Sequence, residues 1–108
     1  MKELSLFETI FLLSILRLQG NAYGVSIRDE VRKIFRRDVS YGTLYSYLDQ
    51  LFRKSYVSKS FGPPTGERGG RHRILYLVTP DGLTALRESY KLQKSVCRGI
   101  EEFVPDKS

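Results

Sequence analysis

Asp38–Val57 reads DVSYGTLYSYLDQLFRKSYV, and the assignment of the whole chain turns on it. Ser40 is suited to cap a helix, because its hydroxyl can accept from a backbone N–H that the first turn leaves unpaired. Leu44, Tyr47, Leu48 and Leu51 then recur at helical spacing and form one apolar face that must meet a core. The opposite face carries Thr43, Ser46, Gln50 and Arg53, with Tyr41 and Tyr45 at its flanks and Asp49 as its one carboxylate. Gly42 is tolerable in a first turn and permits close approach of another backbone. Hydroxyls, an amide, phenols and a guanidinium can read base edges and hold phosphate oxygens. The alternative is an ordinary amphipathic helix with a solvated polar face.

Upstream, Tyr23-Gly24 opens a helix over roughly Val25–Arg36, with Ile27, Val31, Ile34 and Phe35 as its apolar stripe and Arg28, Arg32, Lys33, Arg36 and Arg37 on the rest. Two short amphipathic helices joined by a tight turn, the second polar outward, form a helix-turn-helix pattern. A plain helical hairpin is the alternative. Downstream, YVSKSF (56–61) and RILYLVT (73–79) favour strands, and the GPPTGERGG between them (62–70) can neither continue a strand nor form a helix. A hairpin in this position is a wing, and Lys59, Arg68, Arg71, His72 and Arg73 make it basic. Arginines beside a glycine-rich tip can contact phosphates or a minor groove, or can simply be solvated.

The two ends are apolar in a different way. LSLFETIFLLSILRL (4–18) is a helix that is hydrophobic over most of its circumference, which implies burial on nearly every side. A domain this small covers one side, so a second copy of the chain is the expected supplier of the other, with Leu4, Phe7 and Phe11 at the contact. From Pro80-Asp81-Gly82 onward, Leu83, Leu86, Tyr90, Gln93, Cys97, Ile100 and Val104 follow a heptad spacing, which extends this expected interface through Leu83, Leu86, Tyr90, Cys97 and Ile100. The alternatives are a central helix of a monomer and a last helix folded back on the first. Cys97 on this seam reads as a buried structural thiol.

The totals agree with these assignments. The chain has 108 residues, a formal net charge of +6 and one cysteine, so no disulfide forms within it. Arg32–Arg73 holds ten basic residues against three acidic ones (Asp38, Asp49, Glu67), so the positive excess lies around the central helix. An anionic partner is implied, nucleic acid first and an acidic protein or anionic membrane second. Glu8, Ser14 and Arg17 interrupt the first apolar run, which falls short of the about 20 residues a bilayer span needs. No signal peptide is evident, and the expected location is cytoplasmic. One histidine and one cysteine, far apart, offer neither a metal site nor a nucleophile, and 62–70 lacks the ending of a phosphate-binding loop, so neither an enzyme nor a cofactor is expected.

From about residue 10 to residue 88 the chain resembles the PadR-type winged-helix transcriptional regulators. Tyr23-Gly24 is similar to the start of that family's second helix. Ser40-Tyr41-Gly42-Thr43-Leu44-Tyr45 resembles its S-x-G-T-[IL]-Y motif. Arg68-Gly69-Gly70-Arg71 resembles its wing tip, and Arg73, Tyr76, Thr79 and Gly82 its R-x-x-Y-x-x-T-x-x-G. The resemblance implies a bacterial or archaeal homodimer on operator DNA, usually a repressor, with the first and last helices building the dimer and a cavity between subunits for a small apolar or aromatic effector. Departures are Asp49-Gln50, where arginine is frequent, Ser55, where glycine is usual, and the absence of tryptophan.

The expected fold is mainly α with a small β-hairpin: a winged helix-turn-helix over residues 1–80 and a dimerisation helix over 81–104. The expected double-stranded-DNA contacts are Tyr23, Ser40, Tyr41, Thr43, Tyr45, Ser46, Gln50, Arg53, Lys54, Lys59, Arg68, Arg71 and Arg73. Thr43, Ser46 and Gln50 would face bases. The rival is a winged-helix interaction module that docks an acidic partner.

Overall fold

The computed structural model describes residues 3–64 and 72–104. Helix α1 spans Leu6–Arg17, α2 Gly24–Phe35 and α3 Tyr41–Arg53; strands β1 (Val57–Pro64) and β2 (His72–Val78) follow, then α4 (Pro80–Val96) and a 3₁₀ turn at Ile100–Glu102. This is a mainly α winged helix-turn-helix carrying an additional C-terminal helix.

Each α-helix starts where its cap demands. Ser5 accepts from Glu8 N–H while the Glu8 carboxylate accepts from Ser5 N–H, a reciprocal capping box that the Ser5-Leu6-Phe7-Glu8 spacing encodes. Ser40 accepts from Thr43 N–H at 3.0 Å, and Thr79 from Gly82 N–H at 3.0 Å. Ser26 accepts from Tyr23 N–H and donates to the Asn21 carbonyl, which holds the start of α2. The core then draws one face from every element: Phe11, Leu12 and Ile15 of α1, Ile27 and Val31 of α2, Leu44, Leu48 and Leu51 of α3, Val57 and Tyr76 of the hairpin, and Ala85 of α4. Removing such a side chain costs about 2–5 kcal/mol in a close-packed interior.

The hairpin is antiparallel, with Val57 opposite Val78, Lys59 opposite Tyr76 and Phe61 opposite Ile74. β1 continues to Pro64, past the expected end at Phe61, with a register irregularity between Phe61 and Pro64. A two-stranded ribbon leaves one edge of each strand unpaired, and a bulge removes the demand for a ladder N–H, so proline is admitted there. The tip, with Arg68 and Arg71, lies outside the described residues. Tyr76 N–H donates to the Ala22 carbonyl, which stitches β2 to the start of α2. Thr79 Oγ1 donates to the Ser55 carbonyl at 2.6 Å, and Gly82 packs so closely on the Tyr56 carbonyl that a Cβ there would strike backbone.

α1 is covered by its own chain on one side only, and Leu6 is 64% and Leu16 38% exposed. One helical expectation needs correction. The last helix ends at Val96 rather than near residue 104, because Gly99 is left-handed at φ 78° and restarts the chain as a 3₁₀ turn. Ile100 and Val104 therefore lie beyond the helix that was expected to carry the whole seam. Along α4 only Gly82 and Ala85 are buried, and every residue from Tyr90 to Arg98 is exposed. The radius of gyration, 16.1 Å, exceeds the about 13 Å of a compact chain this long, as a projecting helix requires. Among the described residues no helix is long and apolar enough to cross a membrane.

Ser55 closes α3 at φ 65°, with Tyr56 N–H donating to the Leu51 carbonyl across the turn. A Cβ is strained in this left-handed region. Ser55→Gly should raise the free energy of unfolding by about 0.5–1 kcal/mol after glycine's larger chain entropy is subtracted, read as a higher urea midpoint. A lower midpoint would show that the serine side chain contributes more than its backbone strain costs.

Candidate nucleic-acid interface

α3 turns Leu44, Leu48 and Leu51 into the core, and this alone determines what it turns outward. Tyr41, Gly42, Thr43, Tyr45, Ser46, Asp49, Phe52 and Arg53 are exposed. Tyr45, Asp49 and Arg53 follow one another at i, i+4 and i+8, with Ser46 beside them, so these four form the centre of the exposed face. Asp49 was expected only as an interruption. Its side chain is 61% exposed, and its ion pair, with Lys59, is long at 3.7 Å.

The tyrosines are held rather than loose. Tyr41 and Tyr45 stack at 6.4 Å between ring centres, and the Arg28 guanidinium lies 4.6 Å over the Tyr41 ring. Arg28 Nε donates to the Val39 carbonyl at 2.7 Å, so this arginine ties α2 to the turn and to α3. Nothing in its spacing singled it out from the other basic residues of α2. The Tyr45 hydroxyl abuts Gly24 at the start of α2. Beside it, Arg73 of β2 lies 4.2 Å over the Tyr23 ring, and Tyr23, Gly24, Tyr45, Arg73 and Tyr76 line a shallow pocket. Burial, with Tyr45 and Asp49 nearby, pushes the Tyr76 hydroxyl above its usual pKa and keeps it neutral. On the other edge, Lys59 lies 4.4 Å over the Phe52 ring. The wing cations Lys59 and Arg73 thus flank α3 on aromatic supports.

Three of the expected contacts have other duties. The Ser40 hydroxyl caps the helix and donates to Thr43 Oγ1 at 3.0 Å, so its side chain is already engaged. Gln50 and Lys54, both partly exposed, turn toward α1: Gln50 Nε2 donates to Glu8 Oε2 at 2.9 Å and Lys54 Nζ to the same oxygen at 2.6 Å. Both side chains, expected at bases and at phosphate, are thus engaged by Glu8 in this structure. The cause is Glu8, a carboxylate 1% exposed that must be compensated where it is buried. The capping-box spacing and a lone acid inside an apolar helix were the signals that could have found it.

The expected dimer contacts also divide. Phe11 is completely buried and stacks on Tyr47 at 5.3 Å, so it belongs to the chain's own core. Phe7 is half-buried between Phe35 at 4.9 Å and Tyr47 at 5.4 Å, and Leu4 and Leu86 pack on the core cluster. Leu83, Tyr90 and Ile100 remain exposed, at 43%, 62% and 44%. Cys97, the C-cap of α4, is exposed in the single chain as well.

Residues 12–88 match the transcriptional regulator PadR-like family. No curated protein matches the chain. Among solved structures, a PadR-like transcriptional regulator from Bacillus cereus superposes with a TM-score of 0.74 at 20% identity, covering 94% of this chain and 93% of its own. A transcriptional regulator from Clostridium thermocellum gives 0.70 at 22% identity, with 90% and 91% covered. H. salinarum RosR gives 0.66 at 27% identity, with 98% and 83% covered.

Burial pushes the Glu8 pKa up, but the bonds from Lys54, Ser5 N–H and Gln50 outweigh it and hold it below the ordinary 4.5. Ionised Glu8 therefore stabilises the fold above the ordinary value, and that contribution is lost as pH falls through the lowered one. Urea melts of the native chain and of Glu8→Gln should differ fully above about pH 4.5 and converge below it. A difference that does not change with pH would show that the charge of Glu8 contributes nothing.

Proposed function

The chain belongs to the PadR-like family of transcriptional regulators, and from that premise we propose that it is a cytoplasmic homodimeric repressor that binds an inverted-repeat operator. The observation that carries this reading is the outward face of α3, lined by Tyr45, Ser46, Asp49 and Arg53 and flanked by Lys59 and Arg73 of the wing. A helix of this kind suits a major groove. Ser46 and Thr43 have groups that can bond to bases, and Asp49 can accept from the exocyclic amine of cytosine. Arg53, Arg73, Lys59 and the tyrosines Tyr23, Tyr41 and Tyr45 suit phosphates, with Arg68 and Arg71 of the wing tip joining them.

Residues 1–80 would form the DNA-binding unit and 81–104 the dimerisation segment. The dimer reading rests on apolar surface that one copy leaves in water: Leu83, Tyr90, Leu92, Val96 and Phe103, with Leu6 and Leu16 of α1. Cys97 lies on that exposed segment. A groove of about 440 Å³ near the start of α1, lined by Glu3, Leu4, Ala85, Glu88, Lys91 and Leu92, opens beside it, and a small apolar or aromatic effector would enter there. Exposed Tyr41, Tyr45 and Arg53 would equally serve a protein hot spot, which keeps an acidic protein partner as the second reading.

Selection from a random-duplex pool should return a two-fold-symmetric site with half-sites roughly 34 Å apart. Arg53→Ala and Arg73→Ala should each flatten the dependence of log K on log salt by about 1.8 for the dimer if each removes one phosphate contact per subunit. An unenriched pool, with binding to an acidic protein that duplex DNA fails to displace, would favour the second reading.

A further inference from the structure

The polar side chains of α3 divide into two sets. Tyr45, Ser46, Asp49 and Arg53 are exposed. Gln50 and Lys54, on the flank toward α1, both end on one oxygen of Glu8, at 2.9 and 2.6 Å. The other Glu8 oxygen accepts from Ser5 N–H at 2.8 Å. The Glu8 side chain is 1% exposed and Lys54 21%. Ser5 also lines an open groove with Gly42, Thr43, Ser46 and Gln50, so the start of α1 borders the outward face of α3.

Resting on the DNA-binding reading above, we infer that Glu8 is a positioning residue for DNA recognition. It holds Gln50 and Lys54 off the nucleic acid and leaves Ser46, Asp49 and Arg53 as the groups of α3 that enter the groove. To reach a phosphate, Lys54 would have to leave a buried carboxylate without its cation. That penalty exceeds what a solvated ion contact returns. The same oxygen holds Gln50, so one buried acid sets the direction of two α3 side chains. A helix with the same sequence but no such acid would present one more cation and one more base-reading amide. Glu8 thereby limits both non-specific affinity and the set of bases that α3 can read.

The test uses the full chain and the duplex that it selects, titrated against salt. Lys54→Met should leave the salt slope unchanged, and Gln50→Ala should select the same motif as the native chain. Glu8→Gln should steepen the slope by about 1.8 for the dimer, as one freed lysine in each subunit reaches a phosphate. That gain should vanish in Glu8→Gln combined with Lys54→Met. A purely architectural Glu8 would weaken binding equally at every salt concentration and leave the slope where it was. The inference is overturned if Lys54→Met flattens the slope by about 1.8, if Gln50→Ala loses preference at one base position, or if Glu8→Gln leaves the slope unchanged. Should Glu8→Gln or Lys54→Met fail to fold, Gln50→Ala and the double variant, which leaves no buried charge unpaired, still decide the matter. A native chain that binds no duplex overturns the DNA-binding reading, and this inference with it. The other failures overturn the inference alone.

Discussion

A carboxylate placed inside an apolar helix has to find hydrogen bonds and a counter-charge, because burial removes the water that would otherwise solvate it. Glu8 meets that demand from two directions. Its own helix start supplies Ser5 N–H, and α3 supplies Gln50 and Lys54 from 42 and 46 residues away. The consequence is geometric. α1 and α3 are joined by a polar clamp as well as by Phe11, Tyr47 and the leucines, so the rotation of α3 about its axis is fixed at both its apolar and its polar edge. Which residues of α3 meet a partner follows from that rotation.

Aromatic rings do comparable work around the exposed face. Cations on the outward surface rest on ring faces: Arg28 on Tyr41, Lys59 on Phe52 and Arg73 on Tyr23. A guanidinium or ammonium over a ring is held in direction while its remaining N–H groups stay available. The basic charge of the central segment is therefore mounted in preferred orientations around α3. Wing and recognition helix share one framework, since Tyr76 of β2 is buried in the core and bonded to Ala22.

The core explains why the molecule looks unfinished at its other end. Ala85 is the last residue of α4 to enter the core, and Leu86 the last to pack against it. Beyond them Tyr90, Leu92, Val96 and Phe103 face water. Apolar surface of that extent on a projecting element costs free energy in an isolated chain and is the usual mark of a contact surface.

The order of elements, the capping residue Ser40, the apolar faces of α2 and α3 and the concentration of positive charge were all legible in the sequence. Each is a local property, expressed within one or two turns or one strand. Ser55 in a left-handed turn is of the same kind, for the departure from glycine lay in plain view. What only the tertiary structure decided is which polar residues are free. Gln50 and Lys54 lie at spacings that suit a DNA-facing helix, yet they are bound to Glu8; Asp49, passed over as an interruption, lies at the centre of the exposed face. Phe11 likewise has other surroundings than expected, enclosed by the chain's own core. Periodicity states which side of a helix a residue occupies. It does not state what lies opposite, because that partner comes from a distant part of the chain and is brought near only when the whole core closes.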